Sequence, residues 1–163
     1  MIFITLGSQK FQFDRLLKAV DDLMEQGVIT EEVFAQSGYS TYVPKHYPIK
    51  AFLNREEFTQ MQDRADIVIT HGGTGAIIGA VKKGKKVIAV PRLAKYGEHV
   101  DDHQLQLVGQ FQEQNLICGI KNCEELDSAL EYVETAKFQR YTSNTKTIID
   151  DIEAFLLCLE GAL

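Results

Sequence analysis

The chain has 163 residues, 45% of them hydrophobic and 25% charged, with a formal net charge of −6. That is enough chain for one compact domain with its own core, and the composition is that of an ordinary globular protein. The acidic balance lends no support to a nucleic-acid partner, which asks for a basic stripe, and no apolar run approaches bilayer-spanning length. The N-terminus lacks a charged-then-apolar leader pattern, and Met1 runs directly into a strand, so the cytosol is the expected compartment. The three cysteines, Cys118, Cys123 and Cys158, have no metal-ligand spacing and are expected to be reduced, buried thiols.

Strand-like and helix-like runs alternate from end to end. Ile2-Phe3-Ile4-Thr5-Leu6 is a short apolar run closed by Gly7-Ser8, as in a central parallel strand. Phe13, Leu16, Leu17, Val20, Leu23 and Met24 recur at helical spacing until Gly27. Glu32–Gln36 predicts a second strand and Pro48–Leu53 a third. Asn54 is a helix cap for a segment running through Asp63, with Phe58 and Met61 inward. Asp66–Ile69 predicts a fourth strand, followed by Thr70-His71-Gly72-Gly73-Thr74-Gly75 and a helix from Ala76 that Gly84 ends. Lys86–Val90 is the fifth strand, residues 100–115 a helix, and Leu116–Cys118 a short strand. Helices from about Cys123 to Val133 and from about Thr142 to Leu159 complete the chain. In the last one Ile148, Ile149, Ile152, Phe155, Leu156 and Leu159 form a stripe whose simplest reading is core packing, with a share left to dock on a partner. The alternation implies a Rossmann-like α/β fold, a parallel sheet with helices on both faces, and residues 1–163 read as a single domain.

A glycine-rich turn between strand and helix lets a backbone approach a bound group and aims unpaired helix N–H groups at it. Such a turn suits a phosphate, although glycines that serve only packing would look the same. In parallel sheets the ligand sits beyond the carboxyl ends of the strands, where the strand order switches. Gly7-Ser8-Gln9, Gln36-Ser37-Gly38, His71 to Gly75 and Pro91-Arg92 all follow strands, and this sorting favours the phosphate reading.

A second constellation, Arg92 to Gln104, opens after a strand and runs into a helix. Asp101 and Asp102 suit a helix start, where the dipole favours carboxylates. His99 and His103 stand four apart, but no third metal ligand accompanies them, so no metal site is expected. The Glu98 carboxylate can accept two hydrogen bonds from a vicinal diol such as a ribose, and Asp102 and Gln104 can bind sugar hydroxyls in the same way.

Val68-Ile69-Thr70-His71-Gly72-Gly73-Thr74-Gly75, Val90-Pro91-Arg92, Glu98-His99-Val100-Asp101-Asp102-His103-Gln104 and the opening Ile4-Thr5-Leu6-Gly7-Ser8-Gln9 with Phe13-Asp14-Arg15 carry a resemblance. In order and spacing the chain resembles the C-terminal, donor-binding half of glycosyltransferase family 28 enzymes, which have the GT-B fold. It is similar to the split members: the small catalytic subunit of the dolichol-linked UDP-GlcNAc transferase, and more closely the bacterial capsule or exopolysaccharide counterparts. The resemblance implies an inverting transfer of a sugar from a UDP-sugar to a lipid-diphosphate-linked saccharide. Galactose or glucuronic acid is favoured and GlcNAc remains possible. It also implies a membrane-anchored partner subunit that holds the acceptor, so that the chain lies at the inner face of the membrane through that partner. No cofactor beyond the UDP-sugar donor is implied.

Carried over by position, His71, Gly72, Gly73, Thr74 and Gly75 would cradle the diphosphate, with Gly7 and Ser8 opposite. Phe52 and Leu53 would lie beside the uracil, and Glu98 would hold the ribose. Asp102 and Gln104 would face the donor sugar, and Arg92 a phosphate or a donor carboxylate. His71, Glu98 and Asp102 are the candidate catalytic groups, with the general base left open between this chain and the partner. A non-catalytic UDP-sugar-binding regulatory module is the alternative.

Overall fold

The structure is a computed structural model and describes residues 1–160. Its strands are β1 (Ile2–Thr5), β2 (Val33–Gln36), β3 (Ile49–Lys50), β4 (Ile67–His71), β5 (Lys86–Val90) and β6 (Cys118–Gly119). Its helices are α1 (Asp14–Glu25), α2 (Arg55–Arg64), α3 (Thr74–Lys82), α4 (His103–Glu113), α5 (Leu126–Thr135) and α6 (Thr145–Glu160). The six strands form one sheet in the order β3-β2-β1-β4-β5-β6, with every pairing parallel. The chain winds outward from β1 in one direction and returns through β4 in the other, so the order switches between β1 and β4. This is the expected Rossmann-like α/β fold.

Alternation along the strands sorts the core into two layers. Ile2 and Ile4 point to the face covered by Leu16, Leu17 and Val20 of α1 and by Leu126, Ala129 and Val133 of α5. Phe3, Val68, Val87 and Ala89 point to the other face, against Ile77 and Ala80 of α3 and Val108 of α4, with Phe58 and Met61 of α2 at its edge. Because both faces are covered, the central strands are apolar throughout, which is why they are legible in the sequence.

Element boundaries differ from the sequence expectation in several places, three of them next to the strand ends that matter below. The Pro48–Leu53 strand contracts to Ile49–Lys50, an edge strand paired only with β2, before the chain turns to Asn54. Asn54 then starts α2 with a reciprocal capping box: its side chain accepts the Glu57 N–H at 2.9 Å, and Glu57 accepts the Asn54 N–H at 3.0 Å. The helix expected from residue 100 starts at His103, because Ala94–Tyr96 form a 3-10 turn and Asp101 accepts the His103 N–H at 3.0 Å. In the other direction, β4 runs two residues further than expected and carries Thr70 and His71 into the sheet.

The β2–β3 crossover has no helix, and α1 supplies its missing backbone partners through two carboxylates. Asp14 accepts the Thr41 and Tyr42 N–H groups and the Thr41 hydroxyl. One turn pair further on, buried Asp21 accepts the Lys45 and His46 N–H groups, the Tyr42 hydroxyl at 2.7 Å and His46 Nδ1 at 2.9 Å. Burial alone would raise the Asp21 carboxyl, but these donors outweigh it and hold it down at about 2.

The last helix departs most from expectation. Ile148, Ile149, Ile152, Phe155 and Leu156 are all exposed, Phe155 at 63%. The core-packing reading of that stripe is therefore corrected: the helix forms, but its apolar face is bare. Cys118 and Cys123 are buried free thiols, whereas Cys158 and Leu159 lie outside the described side chains.

Candidate functional site

A cleft of about 610 Å³ opens at the carboxyl ends of the strands, at the β1/β4 switch. It brings together Gly7 and Ser8 from the loop after β1, Leu53 from the loop after β3, and His71, Gly73 and Gly75 around the start of α3. These are six of the positions singled out in the sequence, contributed by segments far apart in the chain. Gln9 and Gln36, both named above at strand ends, also line it, as do Asn54 and Phe58, expected as a helix cap and an inward side chain; Arg55 was not singled out. Arg55 stands at the start of α2 just after a strand, so the same strand-end rule that selected the glycine loops would have found it.

The start of α3 is open toward this cleft. Gly73 is its N-cap and has no side chain to offer, so the N–H groups of Thr74, Gly75 and Ala76 have no protein acceptor among the described residues. Gly72 differs: its N–H donates to Gln104 Oε1 at 3.0 Å and is already used. The expected cradle therefore begins at Gly73.

His71 forms the floor. Thr70 Oγ1 donates to the Thr5 carbonyl at 2.9 Å and locks β4 to β1 beside it. The imidazole lies between two glycines. Gly7 has φ +72°, and a Cβ there would stand 2.7 Å from His71 Cε1; a Cβ on Gly73 would overlap Nε2. Burial pushes the His71 imidazole down to about 4, and the positive charge of Arg92 adds to the effect. A neutral ring with so low a pKa is a poor proton acceptor near neutral pH, which weakens His71 as a general base. It remains a polar wall of the cleft.

The second constellation is placed elsewhere. Glu98 is fully buried: Arg15 Nε and Nη2 each donate to one of its oxygens at 3.0 Å, and the Leu93 N–H donates to Oε2 at 3.0 Å. Both of its oxygens are engaged inside the protein and closed off from solvent, so the ribose-holding and catalytic expectation for Glu98 is corrected to a structural one. Arg92 is fully buried as well, with Nη2 donating to the carbonyls of Leu6 and Phe11, and so it touches no external phosphate or carboxylate. Gln104 Oε1 accepts the N–H groups of both Gly72 and Arg92 at 3.0 Å, tying the ends of β4 and β5 together. Asp102 is exposed, with Oδ1 accepting the Ala94 N–H at 2.8 Å. Phe52 sits at the rim, half-exposed and edge-on to Tyr39 at 5.3 Å, rather than in the cleft. Arg15, near the start of α1, is the partner that reassigns Glu98. It also stacks on Tyr96 with its guanidinium carbon 4.7 Å from the ring centre.

With the geometry in hand, comparison with known proteins decides the family. Residues 1–155 match the model of the glycosyltransferase family 28 C-terminal domain. The chain belongs to that family. Among curated relatives, the Kluyveromyces lactis UDP-N-acetylglucosamine transferase subunit ALG13 is 37% identical over 70 residues, 42% of this chain and 34% of that protein. The Homo sapiens protein of the same name is 24% identical over 135 residues, 75% of this chain and 11% of that one. The chain thus matches about a third of the length of the first relative and about a ninth of the second. Of solved structures, the kitacinnamycin glycotransferase superposes with a TM-score of 0.60 at 14% identity, over 83% of this chain and 35% of that one. The NMR structure of ALG13 gives a TM-score of 0.58 at 17% identity, over 93% of this chain and 94% of that one. CalG4, the calicheamicin glycosyltransferase, gives 0.56 at 16%, over 80% and 33%. These likenesses establish that the family 28 domain here has the sheet of a glycosyltransferase half.

Proposed function

We propose that this family 28 domain is the donor-binding, catalytic subunit of a two-component inverting glycosyltransferase. It moves a sugar from a UDP-sugar to a lipid-diphosphate-linked saccharide in capsule or exopolysaccharide synthesis. The observation that carries the reading is the switch-point cleft, lined by the uncapped start of α3 and by Arg55. The family match and the relatives named as UDP-N-acetylglucosamine transferase subunits support it.

In this reading the diphosphate lies against Thr74, Gly75 and Ala76. Their N–H groups and the positive end of α3 take the charge that develops as UDP leaves. Losing one such donor is worth on the order of 3 kcal/mol in the barrier. Arg55 adds a cation to the cleft lining, and the reading calls for no metal. Leu53 presents its strand end to the base. The donor sugar is galactose or glucuronic acid ahead of GlcNAc.

The cleft lining contains no carboxylate, and its one imidazole is a weak base. The general base is therefore assigned to the membrane-anchored, acceptor-holding partner, which keeps the complex at the inner face of the membrane. The bare apolar face of α6 is the surface we assign to that partner. The same missing carboxylate favours a second reading, a UDP-sugar-binding regulatory module with no chemistry of its own. Calorimetry with UDP, UMP and ADP tests the cleft: the donor-site reading expects UDP to bind tightest, and equal binding of all three overturns it. Co-expression with a neighbouring membrane-anchored subunit, followed by transfer assays with a panel of UDP-sugars, separates the two readings. Transfer by the pair supports the enzyme, and UDP-sugar binding without transfer supports the module.

A further inference from the structure

Arg92 ranks among the largest fully buried side chains, and no carboxylate lies within ion-pair distance of it among the described residues. Nη2 donates to the Leu6 carbonyl at 2.8 Å and to the Phe11 carbonyl at 3.2 Å, one at each end of the loop after β1. Nε and Nη1 have no hydrogen-bond partner, and the guanidinium carbon lies 5.5 Å from the centre of the Phe13 ring. Nearby Glu98 is the one acidic group whose charge favours the protonated guanidinium, and both of its oxygens already bind Arg15. The one carboxylate near the two guanidinium groups is thus paired with Arg15, and the charge of Arg92 is left without an ion-pair partner behind the loop.

We propose that Arg92 is a positioning residue for the anionic ligand of the switch-point cleft. Its unshared charge, held behind the Leu6–Phe11 loop, biases the cleft toward a diphosphate without touching it, while Nη2 sets the shape of the loop that carries Gly7, Ser8 and Gln9. The inference rests on the reading of this cleft as a nucleoside-diphosphate site. If fastening two carbonyls were the whole task, a neutral donor would serve, and burying a guanidinium without a counter-charge is costly. The loop it fastens lines the cleft. Its charge also acts on the cleft floor, where it helps to keep the His71 imidazole neutral. Burial lowers the guanidinium to about 10, which leaves it charged near neutral pH.

The test compares UDP with uridine, because a charge acts on the diphosphate and a loop's shape acts on both. NMR titrations of the full chain follow both ligands for the wild type, Arg92→Met, Arg92→Lys and Glu98→Gln. A charge effect lowers UDP affinity about tenfold in Arg92→Met while uridine stays within about twofold, and Arg92→Lys recovers much of the UDP preference. Glu98→Gln removes the negative charge of the cluster and raises the UDP-to-uridine ratio. The opposite signs are the signature, since purely structural damage lowers UDP binding in both variants and leaves the ratio alone. A wild type that prefers UDP beside an Arg92→Met variant with an unchanged ratio overturns the role of Arg92 and leaves the cleft reading standing. A wild type that binds neither ligand overturns the cleft reading, and the proposal with it. Should Arg92→Met lose its dispersed spectrum, the direction of the Glu98→Gln change decides, and a fall or no change overturns the proposal.

Discussion

At the scale of single residues, the cleft depends on the room left for one imidazole. His71 fits between Gly7 and Gly73 because neither carries a Cβ. Gly73→Ala therefore displaces the ring into the cleft. We expect UDP binding to be lost by calorimetry while the domain still melts cooperatively, since overpacking of this kind costs about 1–3 kcal/mol. Retained binding would mean that the turn serves packing alone. The same ring makes stability depend on pH. The unfolded chain protonates this histidine near its ordinary value of 6.5, and the folded chain only at about 4. The stability that goes with its neutral burial is complete above pH 6.5 and declines as pH falls through 4. The loss amounts to about 3 kcal/mol across that window. His71→Asn removes this component, so urea midpoints measured from about pH 7 to about pH 4 should fall less steeply than those of the wild type. Glu98 and Gln104 teach the converse lesson. Their residue types suit sugar hydroxyls, but Arg15, Leu93, Gly72 and Arg92 reach them first.

At the scale of elements, α3 and α6 are both incomplete, in different ways. The start of α3 lacks a side-chain cap and exposes backbone donors to the cleft. By contrast α2 begins with a full capping box, and although α1 and α4 also lack an N-cap side-chain bond, their first N–H groups reach the Gln12 and Asp101 side chains. Over its described length α6 leaves a row of apolar side chains in solvent, Ile148 through Leu156. A face of that kind on a well-formed helix marks an interaction surface. Removing residues 145–163 should therefore shift the melting temperature by no more than about 4 °C and leave UDP binding intact. Under the proposed two-component reading, co-purification with an acceptor-holding subunit should be lost. A large drop in melting temperature would instead show that α6 contributes to the core.

At the scale of the whole molecule, the cleft is one-sided. Its described walls come from the loops after β1 and β3 and from the start of α3, with Arg55 and Phe58 of α2 alongside, and they include no acidic group. The same fold makes up about a third of the kitacinnamycin glycotransferase and CalG4 chains and 94% of the ALG13 structure. Under the proposed two-component reading the isolated chain is expected to bind UDP yet transfer no sugar, and addition of an acceptor-holding subunit should restore transfer in a radiolabelled-donor assay. Transfer by the isolated chain would place the missing base within these residues.

The amino-acid sequence alone determined the sheet, because strands covered on both faces must be apolar throughout and the glycines and polar residues between them can fall only at strand ends. It also determined which loops meet at the rim, Gly7-Ser8 and His71 to Gly75 above all. Only the tertiary structure decided which polar groups remain free to meet a ligand. That Glu98 is spent on Arg15, 83 positions away, or that Gly72 is spent on Gln104, is a matter of long-range pairing that no local pattern encodes. The same holds for the last helix: a stripe at helical spacing looks identical whether its partner is the chain's own sheet or another protein.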